Sequence, residues 1–135
     1  MDGIPKLISP KQHKMLDWIV TGTFMTVGGL FMAFGGRKGK RAGIAAMING
    51  GMVLGATLLT GYDGDGRKPL SFYTHRKLDI GQLSLAASAP QIFGFSDQAK
   101  SWFFRAQALS EVMVIAMTDW DAGARPTERI RDLAA

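Results

Sequence analysis

Two long stretches of this chain, residues 18–36 and 42–60, contain no Asp, Glu, Lys or Arg, and a dense basic cluster, Arg37, Lys38, Lys40 and Arg41, separates them. A helix of roughly 20 apolar residues is what crosses a hydrocarbon layer of about 30 Å. Charge elsewhere is confined to residues 1–17, 63–79 and 119–132 apart from a few positions, and this clustering points to membrane spans rather than to a soluble surface. Composition alone does not decide the point, since the hydrophobic fraction is 47% and the mean hydropathy +0.07.

The expected fold class is all-α: an integral membrane four-helix bundle made of two repeated helical hairpins. The first hairpin is formed by the two uncharged stretches and a short basic turn. Gly51 and Gly55 give the second stretch a small-xxx-small spacing, a helix-packing signal in lipid. Residues 61–68, with Asp63, Gly64, Asp65 and Gly66, form a turn-rich connection. Spans three and four are weaker. Residues 80–95 carry Gln82, several Ser and Pro90, where a kink is expected, and residues 102–118 carry Arg105 and Glu111.

The repeat is read directly from the residues. Ile8-Ser9 aligns with Leu70-Ser71, and His13, Lys14, Leu16 and Asp17 then align with His75, Arg76, Leu78 and Asp79 at an offset of 62. Each half closes on a second match, Thr60-Gly61-Tyr62-Asp63 over Thr118-Asp119-Trp120-Asp121, at an offset of 58. This divides a single domain, 1–135, into repeat 1 (8–63), repeat 2 (70–121) and a polar tail (122–135). Ser9 before Pro10 reads as a helix N-cap, with Ser71 capping the second copy. The offset of 58 sets Asn49 over Gln107, two amides suited to bonding across helices. Trp18, Tyr62, Tyr73 and Trp120 fall at one level and suggest an aromatic belt.

Residues 89–97, Ala-Pro-Gln-Ile-Phe-Gly-Phe-Ser-Asp, are similar to the segment that ends the first helix of the small bacterial SPW-repeat membrane proteins, and residues 8–121 as a whole resemble these and their DoxX-like relatives. Ala and Gln stand here where Ser and Trp are usual. The resemblance implies a four-helix protein of the bacterial inner membrane and brings no catalytic residues.

The candidate functional residues are few. His13 with Asp17 and His75 with Asp79 each lie one helical turn apart on a single face. Imidazole and carboxylate so placed either orient a helix end or share a metal ion, with His13 and His75 also able to flank a haem and Asp17 and Asp79 able to complete a metal site. Glu111 is an intramembrane carboxyl, costly to insert, which pairs with Asn49, Gln107 or a neighbouring subunit, or else relays protons or ions. Asp63, Asp65, Arg67 and Asp79 faintly resemble the acidic motif of membrane CDP-alcohol phosphotransferases, but no Asp-x-x-x-Asp pair follows them, and neither a phosphate-binding loop nor a Ser-His-Asp order is visible.

Function therefore divides into two expectations: a structural or accessory subunit in a membrane complex or homo-oligomer, and a module that handles haem, a metal, or protons and ions. Partners are the lipid bilayer and other membrane subunits or further copies of the chain. The net charge of +5 is expected to meet anionic headgroups rather than nucleic acid, because no nucleic-acid-reading motif accompanies it. The polar start predicts no cleavable signal peptide, and ten Lys/Arg at the ends and middle loop against six elsewhere favour cytoplasmic termini. Cys is absent, so thiolate metal chemistry is excluded.

Overall fold

A computed structural model describes residues 3–124, 127–128 and 134 of the chain. Four helices dominate it: α1 (Pro10–Phe34), α2 (Gly36–Leu59), α3 (Phe72–Ile92) and α4 (Ser101–Met117). Two-residue strands β1 (Thr60–Gly61) and β2 (Leu70–Ser71) pair in parallel between α2 and α3, and a short 3-10 turn spans Asp121–Gly123. Most of the polar tail at 122–135 lies outside the described residues.

Local chemistry accounts for where the helices begin. The Ser9 hydroxyl accepts from the Gln12 N–H while the Gln12 side chain accepts from the Ser9 N–H, a capping box with Pro10 at the first helical position. Ser71 repeats the first half of this device on Thr74. Both helices thus start eight residues or so before the uncharged stretches do, which brings His13, Asp17, His75 and Asp79 into regular helix.

The other end of the molecule is tighter than the sequence suggests. Gly35 is at once the last residue after α1 and the cap before α2, and Gly36 takes a φ of +64°, which a side chain would oppose. The basic cluster Arg37–Arg41 accordingly forms the first turns of α2 and not a loop. Pro90 falls in the last turn of α3, so the helical bond it forgoes, to the Ala86 carbonyl, lies close to the helix end, and the Pro90 carbonyl accepts from Phe95 N–H as the chain turns through Gly94. At this end Lys38 pairs with Asp97 at 2.6 Å, holding that carboxyl below the usual range.

The interior combines small and aromatic side chains. Ala42, Ala45, Ala46, Ala86, Ala89 and Ala108 interleave with Phe24, Phe95 and Phe104, while Tyr62, Phe72, Ile115 and Trp120 form a second cluster at the end where β1 and β2 pair. The outward faces are also apolar: Trp18, Leu30 and Phe34 of α1, Ile44, Ile48 and Met52 of α2, Ile80 and Ile92 of α3, and Trp102, Leu109 and Met113 of α4 are exposed. Apolar side chains thus line both the inner and the outer faces of the helices. Two of the helices, α1 and α2, are long and apolar enough to cross a membrane. α4 is shorter, at 17 residues, and α3 carries Gln82 and several Ser.

Two of the four aromatic residues placed in a belt are internal instead. Tyr62 and Trp120 are buried, because each has a polar atom to satisfy inside: the Tyr62 hydroxyl donates to Asp17, and the Trp120 indole N–H donates to the Ile115 carbonyl. Trp18 is exposed as expected.

Candidate metal centre

Two short backbone pairings join the helix ends around the site. Ile8 N–H donates to Met117 O at 3.0 Å and Asp119 N–H to Ile8 O at 2.9 Å, tying the start of α1 to the end of α4. Thr60 pairs with Leu70 in β1 and β2, tying the end of α2 to the start of α3. The imidazole-bearing helix of each pair is therefore fixed beside the terminal threonine of its neighbour.

Those threonines orient the imidazoles. Thr118 Oγ1 lies 2.9 Å from His13 Nδ1 and 2.6 Å from Val114 O, and Thr60 Oγ1 lies 2.8 Å from His75 Nδ1 and 2.6 Å from Ala56 O. A hydroxyl carries one hydrogen, and in each case the helix carbonyl accepts it, since a carbonyl has none to give. Each threonine oxygen must then accept from Nδ1–H. Both imidazoles consequently hold their Nδ1 hydrogen, and both Nε2 atoms point the other way, into the bundle.

There they meet two carboxylates. His13 Nε2 is 3.0 Å from Asp79 and 3.4 Å from Asp17, while His75 Nε2 is 3.0 Å from Asp79 and 3.3 Å from Asp17. One ligand atom from each of the four residues lies within 4.8 Å of all the others. The sites expected from helical spacing as two separate pairs are thus a single ring of alternating imidazole and carboxylate. His13 and His75 are buried, and Phe72, Trp120 and Tyr62 rings pack against them at centroid separations of 4.9–5.5 Å. The Tyr62 hydroxyl donates to Asp17 Oδ2 at 2.6 Å; burial and the adjacent Asp17 carboxylate push its pKa far above the usual phenol range, so it remains a donor.

Charge balance limits what this ring can hold. Two ionised carboxylates shielded from water need about two positive charges nearby, supplied either by protons on both imidazoles or by one divalent cation. His13 Nε2 lies 3.0 Å from Asp79 Oδ2 in position to donate, as a protonated imidazole would, while His75 is placed differently. Its Nε2 is buried 3.0 Å from Asp79 and 3.3 Å from Asp17, yet it forms no well-aligned hydrogen bond to either. A lone pair on that nitrogen aimed between the carboxylates suits a shared ion.

The remaining singled-out residues lie beside this ring or away from it. Asn49 is buried and accepts from Gln82 Nε2 at 3.0 Å, so its cross-helix partner is Gln82 of α3, while Gln107 reaches Glu111 on its own helix at 3.4 Å. Gly51 and Gly55 have open space where a side chain would stand; the close approach between α1 and α2 occurs at Gly28, Gly43 and Gly50. Thr60, Thr118 and Tyr62 carry roles that spacing did not suggest, although all three belong to the second matched segment of the repeat.

No protein-family model, curated protein or solved structure matches this chain.

Proposed function

We propose that the chain is a four-helix integral membrane protein, built from two repeated hairpins, in which His13, Asp17, His75 and Asp79 hold one divalent first-row transition-metal ion near the membrane interface. The observation that carries this reading is the fixed pair of Nδ1–H donors, which turns two buried Nε2 atoms toward two carboxylates. Threonine hydroxyls that accept from Nδ1–H in this way set the tautomer and aim of a ligating imidazole. Zinc suits an imidazole and carboxylate set with no thiolate, and four protein ligands fill its coordination, as in structural sites.

Each repeat contributes one His and one Asp, so the ion would clamp the hairpins together and place the chain among structural or accessory membrane subunits. A bare ion is favoured over haem because the imidazoles stand at 89° with centroids 5.5 Å apart and have carboxylates packed between them, where a porphyrin disc would have to lie. The apolar outward faces support insertion into a bilayer, and the excess of Lys and Arg at the centre's end of the molecule supports a cytoplasmic position for that end. The likeness to SPW-repeat proteins agrees with a bacterial inner-membrane location.

Purified full-length protein tests both parts. The account expects the chain to stay in membranes washed with alkaline carbonate and to retain about one zinc ion per chain after dialysis, with the ion lost in His13→Ala and His75→Ala. Release by carbonate would refute the bilayer reading, and metal-free wild-type protein after zinc loading would refute the metal reading.

A further inference from the structure

Close packing runs from α1 to α2, α2 to α3 and α3 to α4. The remaining seam, α4 to α1, is held near one end by Ile8 and Thr118 and farther along by Phe24 against Phe103 and Phe104. Between these contacts lies a cavity of about 240 Å³ that begins at the metal centre and extends toward the middle of the helices. Its walls are mainly apolar, from Leu16 and Val20 of α1, Val53 of α2, and Val114 and Ile115 of α4. Ile19 and Ser110, both exposed, stand at its rim, so it opens sideways onto the surface that the bilayer reading assigns to lipid.

Three carboxyl groups line this cavity, Asp17 and Asp79 at the four-residue centre and Glu111 farther along, and only Glu111 lies outside that centre. Glu111 is 9% exposed, and its Oε2 is buried with no hydrogen-bond partner. The neighbouring amides act as donors: Gln107 Nε2 reaches Oε1 at 3.4 Å, and Gln82, which also donates to Asn49, faces the same carboxyl. Among the described residues no Lys, Arg or His forms an ion pair with Glu111; the nearest cation along its helix, Arg105, lies over the Trp102 ring instead. A buried carboxyl with an amide donor on one oxygen, and no hydrogen bond on the other, suits a ligand that brings a charged N–H.

We propose that this cavity binds a small organic ammonium ion, an amine in its protonated form whose N–H donates to Glu111 Oε2 while an apolar group of about aromatic-ring size packs against Val20, Val53, Val114 and Ile115. The size follows from the volume, since an apolar cavity of about 150 Å³ accommodates benzene and the extra space here leaves room for an aminomethyl substituent. Mostly apolar walls with a few convergent polar groups are the usual make-up of a small-molecule site. The inference takes its route of access from the bilayer reading and is independent of whether the four-residue centre holds metal.

Calorimetric titration of the full chain in detergent, with benzylammonium and its neutral counterpart benzyl alcohol, tests the proposal. Saturable binding of benzylammonium is expected, at least about tenfold tighter than that of the alcohol, and weakened about tenfold or more by Glu111→Gln. Val20→Phe, which fills the cavity and leaves the carboxyl in place, is expected to abolish binding and guards against a Glu111 variant that merely misfolds. Equal affinity for the alcohol, unchanged affinity in Glu111→Gln when helix content is retained, unchanged affinity in Val20→Phe, or no saturable binding overturns it. Protein that takes up no zinc on loading yet binds the amine leaves this proposal standing while the metal reading falls, and zinc-loaded protein that ignores the amine overturns this proposal alone.

Discussion

His13 reaches past its own helical neighbour to a residue of another helix: its Nε2 is 3.0 Å from Asp79 and 3.4 Å from Asp17. Asp79 is equally close to His75, whereas Asp17 stands farther from both imidazoles and gives one oxygen to Tyr62. Asp79 should therefore be the stronger metal ligand. Competition titration with a zinc-chelating dye is expected to show Asp79→Asn weakening zinc binding by about 100-fold or more, and Asp17→Asn by less. An equal loss in both variants would contradict the ranking.

The threonine hydroxyls are expected to matter although they touch no metal. Thr60→Val and Thr118→Val each remove the acceptor for a buried Nδ1–H and free the imidazole to turn, so each should reduce zinc affinity by about 10–100-fold. The same titration checks this, with Ser84→Ala as a control, since its exposed hydroxyl donates to Ile80 O within its own helix.

Glycines on two faces of α2 should respond oppositely to alanine. A Cβ on Gly43 would come 2.2 Å from Met32 Cγ and 2.7 Å from the Gly28 carbonyl oxygen, whereas one on Gly51 meets nothing within 4 Å. Gly43→Ala is expected to cost about 1–3 kcal/mol in thermal or denaturant unfolding in detergent. Gly51→Ala should change stability by no more than about 0.5 kcal/mol unless another subunit covers that face.

Ile48 lies near the middle of α2 and is exposed. If lipid surrounds it, Ile48→Arg should lower insertion of α2 in a microsomal membrane assay by an amount corresponding to about 2.5–3.5 kcal/mol. On a water-facing helix the same change would be nearly neutral.

Much of the architecture is legible in the residues because its signals are local. Ser9-Pro10 and Ser71 announce helix starts, the uncharged stretches announce α1 and α2, and helical spacing puts each His beside its Asp. The offset between matched segments also picks out the threonines, but nothing local says that Thr118 meets His13 or that Thr60 meets His75. Those contacts arise when β1 pairs with β2 and Ile8 with Thr118, which depend on how the hairpins dock. The one-residue turn at Gly35 was hidden for a related reason: a run of Gly, Lys and Arg reads as loop, although the same charges are tolerated at the exposed start of a helix. Tyr62 and Trp120 show the limit of reading aromatic residues by level alone, since their depth in the structure follows from the polar atoms they satisfy.

X-ray absorption at the zinc edge of the loaded full-length protein tests the central claim most directly. The account predicts a four-coordinate shell of nitrogen and oxygen at about 2.0–2.1 Å with the outer-shell scattering of two imidazoles, lost when His13 and His75 are replaced. A shell of water and carboxylate oxygens without imidazole scattering, or a spectrum unchanged by those replacements, would contradict it.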